Sequence, residues 1–248
     1  MSESKVALVT GAMGGIGTAI CHSLASDGYT VLATHRPGKE SSAQDWLQEE
    51  VFSEGRVKTL ALDVCDTTAC GSTLKDVIED YGHIDVLVNN AGITRDTTFK
   101  RMSFEQWEDV INTKLHSLFN VTQPLFHSMC EQGNGRIINI TSINGLKGQF
   151  GQANYAAAKA GMIGFTKSLA LESARFGVTV NAVAPGYTAT PMVAALADDV
   201  LDSIKAQIPE KRLATPKEIA ESISYLASDA AGFITGETLN INGGQYMH

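Results

Sequence analysis

The chain has 248 residues, 44% of them apolar and 19% charged, and a formal net charge of −8. That length suits one α/β domain with a large core. The negative balance argues against nucleic acid or an anionic membrane as partner, but not against a phosphorylated ligand, which needs only local donors.

The first apolar run, 5–10, reads as a strand and leads into "TGAMGGIG", with glycines 11, 14, 15 and 17 ahead of a helix near 15–27. Glycine permits a tight turn and close backbone approach to a ligand. A helix N-terminus adds free N–H groups and a positive dipole end. Strand, glycine turn and helix together are the context a dinucleotide diphosphate requires, although a ligand-free connection would use the same glycines. The second strand, 29–34, ends at Thr34, where an NAD-selective fold carries an acid for the ribose 2′-hydroxyl. His35, Arg36 and Lys39 follow. A basic residue pairs with a 2′-phosphate that an acid would repel, so NADPH (NADP+) is the expected cofactor unless these are only solvated loop charges.

Further strands are expected at 57–62, 84–89, 136–141, 178–184 and 238–242, between helices near 41–54, 67–81, 103–131, 153–176 and 216–228. Near-continuous Val, Ile and Leu in the central runs suits parallel strands buried on both faces. Regular alternation of strand and helix implies right-handed βαβ units. The expected fold is thus one Rossmann-type α/β domain over 1–248, a doubly wound parallel sheet with helices on both faces. The alternation lapses only at 190–215, a candidate substrate lid.

No charged and then apolar leader opens the sequence, and no run reaches the ~18 apolar residues of a membrane helix. The expectation is a cytoplasmic protein with neither signal peptide nor membrane span. Cys21, Cys65, Cys70 and Cys130 show no Cys-x-x-Cys pair and no metal spacing, so reduced thiols and no metal are expected.

Tyr155 and Lys159 stand four apart in an Ala-rich helix and share a face. Ser142 ends the strand "RIINITS", and Asn112 lies in "VINTKLHSLFN". Taken singly, each has a bland reading as surface, cap or helix polar residue. Their order is informative. Thr10-Gly-Ala-Met-Gly-Gly-Ile-Gly17, Asp63-Val64, Asn89-Asn-Ala-Gly92, Asn112, Ser142, Tyr155-x-x-x-Lys159 and Pro185-Gly186 succeed one another at the proper places relative to strands and helices. In this the sequence resembles the short-chain dehydrogenase/reductase family over essentially its whole length.

The resemblance implies a catalytic tetrad of Asn112, Ser142, Tyr155 and Lys159. It implies that Gly11, Gly15, Ile16 and Gly17, with Met13 and Gly14 in the same turn, hold the diphosphate. Asp63 and Val64 would contact the adenine, and Asn90, Ala91 and Gly92 would pass beside its ribose. Pro185, Gly186 and Thr188 would position the nicotinamide, Thr190 would lie near the diphosphate, and Tyr155 and Lys159 would also touch the cofactor. Gly14 departs from the basic residue common there in NADPH-dependent members, which leaves the 2′-phosphate to Arg36, Lys39 or backbone donors.

The chemistry fits these residue types. Reducing a ketone adds hydride at carbon, from the cofactor, and a proton at oxygen. A tyrosine can give the proton, but its reference pKa is about 10. An ammonium about 4 Å away would favour the phenolate by about 4 kcal/mol at an effective dielectric of about 20. Lys159 is therefore expected to lower the Tyr155 pKa toward neutrality, where acid–base catalysis works best. Ser142 would donate to the carbonyl oxygen as it gains charge, and Asn112 would hold a water relaying protons to Lys159.

"GAMGGIGTAIC", "NNAGITRDTTFKRM", "SINGLKGQFGQ" and the terminal "NGGQYMH" are similar to acetoacetyl-CoA reductases of polyhydroxybutyrate synthesis, and "ANYAAAKAGMIGFTKSLALE" to 3-oxoacyl-carrier-protein reductases. Both groups reduce a 3-oxoacyl thioester to the (R)-3-hydroxy form with NADPH. By the first likeness Gln149, Phe150 and Gln152, with Asp96, Ser142, Tyr155 and Tyr187, would contact the substrate. The alternative has Phe150 plugging the core. A carrier-protein substrate would need a basic patch, for which Lys100, Arg101 and Lys114 are candidates. A homotetramer is expected by resemblance alone. Remaining readings are a polyol dehydrogenase on the same frame and a non-catalytic NADP(H)-sensing scaffold. A Ser142 hydrolase lacks the Gly-x-Ser-x-Gly elbow.

Overall fold

The computed structural model describes residues 5–50, 52 and 55–247. The strands are β1 (Val6–Val9), β2 (Thr30–His35), β3 (Val57–Ala61), β4 (Val86–Asn89), β5 (Gly135–Ile140), β6 (Val178–Pro185) and β7 (Thr238–Ile241). They form one seven-stranded sheet in the order β3-β2-β1-β4-β5-β6-β7, parallel at every pairing. Every residue of β1, β4, β5 and β6 is buried. With both faces covered there is no solvent side to encode, which is why these strands read as largely apolar runs without a polar alternation.

The helices are α1 (Gly15–Ser26), α2 (Glu40–Glu50), α3 (Thr67–Tyr81), α4 (Phe104–Ile111), α5 (Ser117–Gln132), α6 (Ile143–Lys147), α7 (Ala153–Ser173), α8 (Pro191–Ala194), α9 (Asp198–Ala206) and α10 (Pro216–Ala227). Alternate strand residues divide the core in two. Ala7, Val9, Val86 and Val88 pack with Ile20 and Leu24 of α1 and Ile219 and Ile223 of α10. Leu8, Leu87 and Ile137 pack with Leu74 of α3 and Val121, Leu125 and Met129 of α5.

Two expected helices differ from what forms. The helix over 41–54 is observed as α2; Phe52 is not helical, and Val51, Ser53 and Glu54 lie outside the described residues. The single helix over 103–131 is interrupted by a π-helical segment, Asn112–His116, between α4 and α5. Such a bulge re-aims the side chains it carries. The lapse at 190–215 holds the short helices α8 and α9.

Two features place the site. From β1 the chain builds β2 and β3 on one side and then returns to β4 on the other. The loops leaving β1 and β4 therefore diverge and open a crevice at the strands' carboxyl ends. A buried polar chain then fixes α7 on the sheet. Asn89 donates to Asn139 (2.9 Å), and Asn139 donates to Thr166 of α7 (2.9 Å). Satisfied buried polar groups of this kind tolerate no sliding, because a slip would leave each partner unpaired.

Candidate active site

The turn after β1 is glycine for steric reasons. Gly11 has φ +62°, and a Cβ there would stand 2.7 Å from Ala91 Cα. A Cβ on Gly17 would stand 2.7 Å from the Ala12 carbonyl oxygen and 2.8 Å from its Cα, and one on Gly15 would stand 3.0 Å from Thr190. The Asn90 amide donates to the carbonyls of Thr10 (3.0 Å) and Gly11 (2.9 Å), while Thr10 Oγ1 accepts from the N–H groups of Asn90 and Ala91. The end of β4 is thus stitched to the turn, and the N-terminus of α1 stays bare.

Beside it lies a cavity of about 620 Å³. Gly11, Met13, Gly14, Gly15, Ile16 and Gly17 line one wall; Thr34, His35, Arg36 and Lys39 line another; Asn90, Gly92 and Thr190 close it. Two cations and no carboxylate line this cavity, so its donors fit a phosphate-rich dinucleotide. Asp63 and Val64 do not line it. The Asp63 carboxylate accepts from the Cys65 N–H (2.9 Å), and Val64 is buried with its carbonyl accepting from Asn120 (3.0 Å).

A second cavity, of about 270 Å³, shares Ile16, Asn90, Thr190 and Met192 with the first, so the two are continuous. It contains Ser142, Tyr155 and Lys159, together with Pro185, Gly186, Tyr187, Thr188 and Gln152. Ser142 Oγ caps α6 by accepting from the Asn144 N–H (3.1 Å), and Ser142 and Tyr155 face the same cavity. Thr141 donates to the Lys159 carbonyl (2.7 Å), and the absence of a side chain at Gly145 lets α6 lie directly on α7 at Lys159. The fully buried Asn154 donates to the carbonyls of Arg95 (3.2 Å) and Gln106 (2.9 Å), which anchors the start of α7.

Asn112 requires correction. It stands outside this site, hydrogen-bonded with His116 (2.7 Å) and opening with Cys65, Thr67 and Phe119 onto a separate cavity. The side chain of the π segment that reaches Tyr155 is Lys114, 6% exposed, with its amine 4.7 Å from the Tyr155 ring centroid. The charge on Lys114 acts on Lys159, and the Lys114 amine fills the space that a Cβ on Gly92 would occupy. Its burial also removes it from any basic surface patch, leaving Lys100 and Arg101 exposed.

The electrostatics differ from expectation too. Burial pushes the Tyr155 hydroxyl above the usual tyrosine value, opposed by its bond to Ser142 and reinforced by Asp96 and Tyr187. Lys159 does not depress it, because its amine donates to the Ile140 carbonyl and is itself held well below the usual lysine value by burial and by Lys114. Burial brings Lys114 down to about 8, against the pull of Asp96 and the contact with Lys159.

The loop before α7 is fixed at one end and free at the other. Gln152 donates to Asp96 (2.6 Å) and accepts from Asn144 (2.9 Å), and the Gly151 carbonyl accepts from the Thr97 N–H (2.9 Å). Gln152 and Tyr187 line the cavity. Gln149 instead accepts from Lys147 (2.8 Å), and Phe150 is 87% exposed, so it plugs no core. Reasoning from sequence missed Lys114, Asn144, Met192 and Val193 as lining residues. For the last two a signal existed: Thr190-Pro191 is a helix cap followed by a first-turn proline.

A parallel α/β fold with a bare glycine turn at its switch point, and Ser, Tyr and Lys in the adjoining cavity, defines a dinucleotide-dependent oxidoreductase. A family model of short chain dehydrogenases matches residues 5–201, and the chain belongs to that family. An acetoacetyl-CoA reductase of an Acinetobacter species is 58% identical over 248 residues, all of both chains. Nodulation protein G of Azospirillum brasilense is 54% identical over 242 residues, 98% of each chain. A 3-oxoacyl-[acyl-carrier-protein] reductase of Escherichia coli is 49% identical over 245 residues, 99% of this chain and 98% of the other. The protein is therefore an oxidoreductase, and its family implies a nicotinamide cofactor. Among the described residues no helix is long and apolar enough to cross a membrane.

Proposed function

We propose that this protein reduces acetoacetyl-CoA and other short 3-oxoacyl-CoA thioesters to the (R)-3-hydroxyacyl-CoA with NADPH, as in polyhydroxybutyrate synthesis, and that Tyr155 is the proton donor. The carrying observation is that Ser142, Tyr155 and Lys159 line one cavity, continuous with another lined by Arg36, Lys39 and no carboxylate. When bound, the reduced nicotinamide supplies the hydride. Ser142, whose oxygen accepts from Asn144, would turn its O–H from Tyr155 to the substrate carbonyl oxygen. Burial keeps the Tyr155 phenol protonated, which is the form a proton donor needs.

Preference for CoA over a carrier protein is supported by the acetoacetyl-CoA reductases among the relatives and by the burial of Lys114, which thins the candidate landing patch. Asn144 Oδ1 is buried without a partner and offers an acceptor to a pantetheine amide N–H. The α8 residues Met192 and Val193 form the lid side of the same cavity. A cytoplasmic homotetramer belongs to this reading, and light scattering tests the assembly.

The deciding measurement compares kcat/KM for acetoacetyl-CoA, longer 3-oxoacyl-CoAs and acetoacetyl-carrier protein, each with NADPH and NADH. Acetoacetyl-CoA with NADPH is expected to lead; a carrier-bound substrate in first place would shift the assignment to the fatty-acid group. Arg36→Asp is expected to move the NADPH/NADH ratio toward NADH by at least about tenfold, the value of one charge-assisted hydrogen bond. An unchanged ratio would remove Arg36 from the cofactor site.

A further inference from the structure

We propose that Lys114 is a positioning residue for proton transfer: with Lys159 it forms a proton-sharing pair of buried amines that restores the proton Tyr155 gives up. The inference rests on the reading of Tyr155 as donor.

The geometry is that of a built pair. The π segment turns Lys114 inward, its amine lies 4.7 Å from the Tyr155 ring centroid, and the Lys159 amine lies 5.7 Å from the same centroid. Both amines thus stand over one ring, near enough for the charge of each to act on the other, and Lys159 also donates to the Ile140 carbonyl. The Lys114 amine takes the space that a Cβ on residue 92 would occupy, so glycine there lets it approach. The resemblance predicts a neutral asparagine holding a water beside Lys159. The structure puts a titratable amine there instead.

Two ammonium groups buried side by side repel each other and share protons as a unit. In the proposed pair the two amines hold one proton between them. In reduction, Tyr155 transfers its hydroxyl proton to the substrate alkoxide. The phenolate then regains a proton from the pair, and the pair regains one from water, so charge and protons balance.

The groups facing Lys114 are few. Asp96, from the loop after β4, favours its charge, and Lys159 on α7 shares its proton. Tyr155 lies beneath it, and Tyr187 after β6 acts on Tyr155. On its own side of the chain, His116 is engaged with Asn112, Asp109 with Arg95, and Cys65 with Thr113. Lysine is charged below its pKa, and that of Lys114 lies at about 8. The pair therefore keeps its last proton below that pH and loses it above.

The test has two arms. In the first, kcat for reduction is measured across pH with saturating NADPH for the wild type, Lys114→Met and Lys114→Asn. The wild type is expected to lose rate about tenfold per pH unit above about pH 8, the signature of one proton. Both variants are expected to lose that limb or move it by about one pH unit or more. A limb unmoved in either folded variant overturns the proposal. The second arm needs no variant to fold and no substrate. Carbon-13 NMR of lysine side chains labelled at Cε, in the wild-type protein, is expected to show one lysine titrating near pH 8. If no lysine titrates between about pH 7 and about pH 9, the proposal is overturned. Failure to turn over acetoacetyl-CoA while this resonance titrates would count against the substrate reading and leave the amine pair standing.

Discussion

Tyr155→Phe is expected to lower kcat for acetoacetyl-CoA reduction by about 10²- to 10⁴-fold, the range for loss of a positioned general acid. NADPH affinity should stay within about threefold, since the 1.4 kcal/mol that a tenfold change needs has no source here. The ring that lies beneath the Lys114 amine is kept, so packing is preserved. Only the hydroxyl facing Ser142 goes, and Ser142 keeps the Asn144 N–H as partner. Stability should consequently change by about 1 kcal/mol, one hydrogen bond's net worth. Single-turnover kinetics and fluorescence titration of NADPH separate the two effects. A kcat within about tenfold of wild type would take proton donation away from Tyr155.

Gly17→Ala should strike the cofactor instead of the chemistry. The added methyl would lie 2.7 Å from the Ala12 carbonyl oxygen and 2.8 Å from its Cα, and would also meet the Gly11 carbonyl oxygen. All three are backbone atoms that no rotamer change can move aside. Overpacking of this kind costs about 1–3 kcal/mol. The strain falls on the turn that aims the N-terminus of α1, so NADPH Kd should rise by about tenfold to about a hundredfold, with a matching fall in Tm. Gly14→Ala is the control, because a Cβ there has as its nearest neighbour only the Gly11 carbonyl at 3.5 Å. Equal effects of the two substitutions would remove the steric argument.

The fold was legible because its signals are local and repeated. Buried parallel strands carry short runs rich in Val, Ile and Leu, and each recurs after a helix-length interval. The glycine turn was legible because sterics leave no alternative at Gly11 and Gly17. Asn112 was misplaced because the resemblance supplies an expected residue type, not the side of the helix that faces Tyr155 in this chain. Residues two apart on an α-helix point to nearly opposite sides, and nothing in "VINTKLHSLFN" announces the π segment that decides which side faces Tyr155. The Tyr155 pKa was misjudged in direction because sequence spacing reports that a lysine is near but not what else it bonds. Lys159 is turned to Ile140 and Lys114, and burial of the phenol then dominates. The substrate loop was only half legible. Gln152 is held by Asp96 and Asn144, whereas Gln149 and Phe150 answer to solvent and to Lys147.

The strand order also constrains how this chain can be made. Among the described residues no strand is paired by a hairpin, so no ladder forms from adjacent residues, and the interior strand β1 waits longest: Val9 meets Val88 across an intervening β2, α2, β3 and α3. On a ribosome β1 emerges first and stands with one hydrogen-bonding edge open until β4 appears. Non-local parallel pairing of this kind is slow, and an apolar strand with an open edge invites association in the meantime. Synthesis arrested before β4 should therefore yield an aggregation-prone chain, whereas arrest just before β7, which pairs only with β6 at the sheet's far edge, should leave a sheet already closed around its centre.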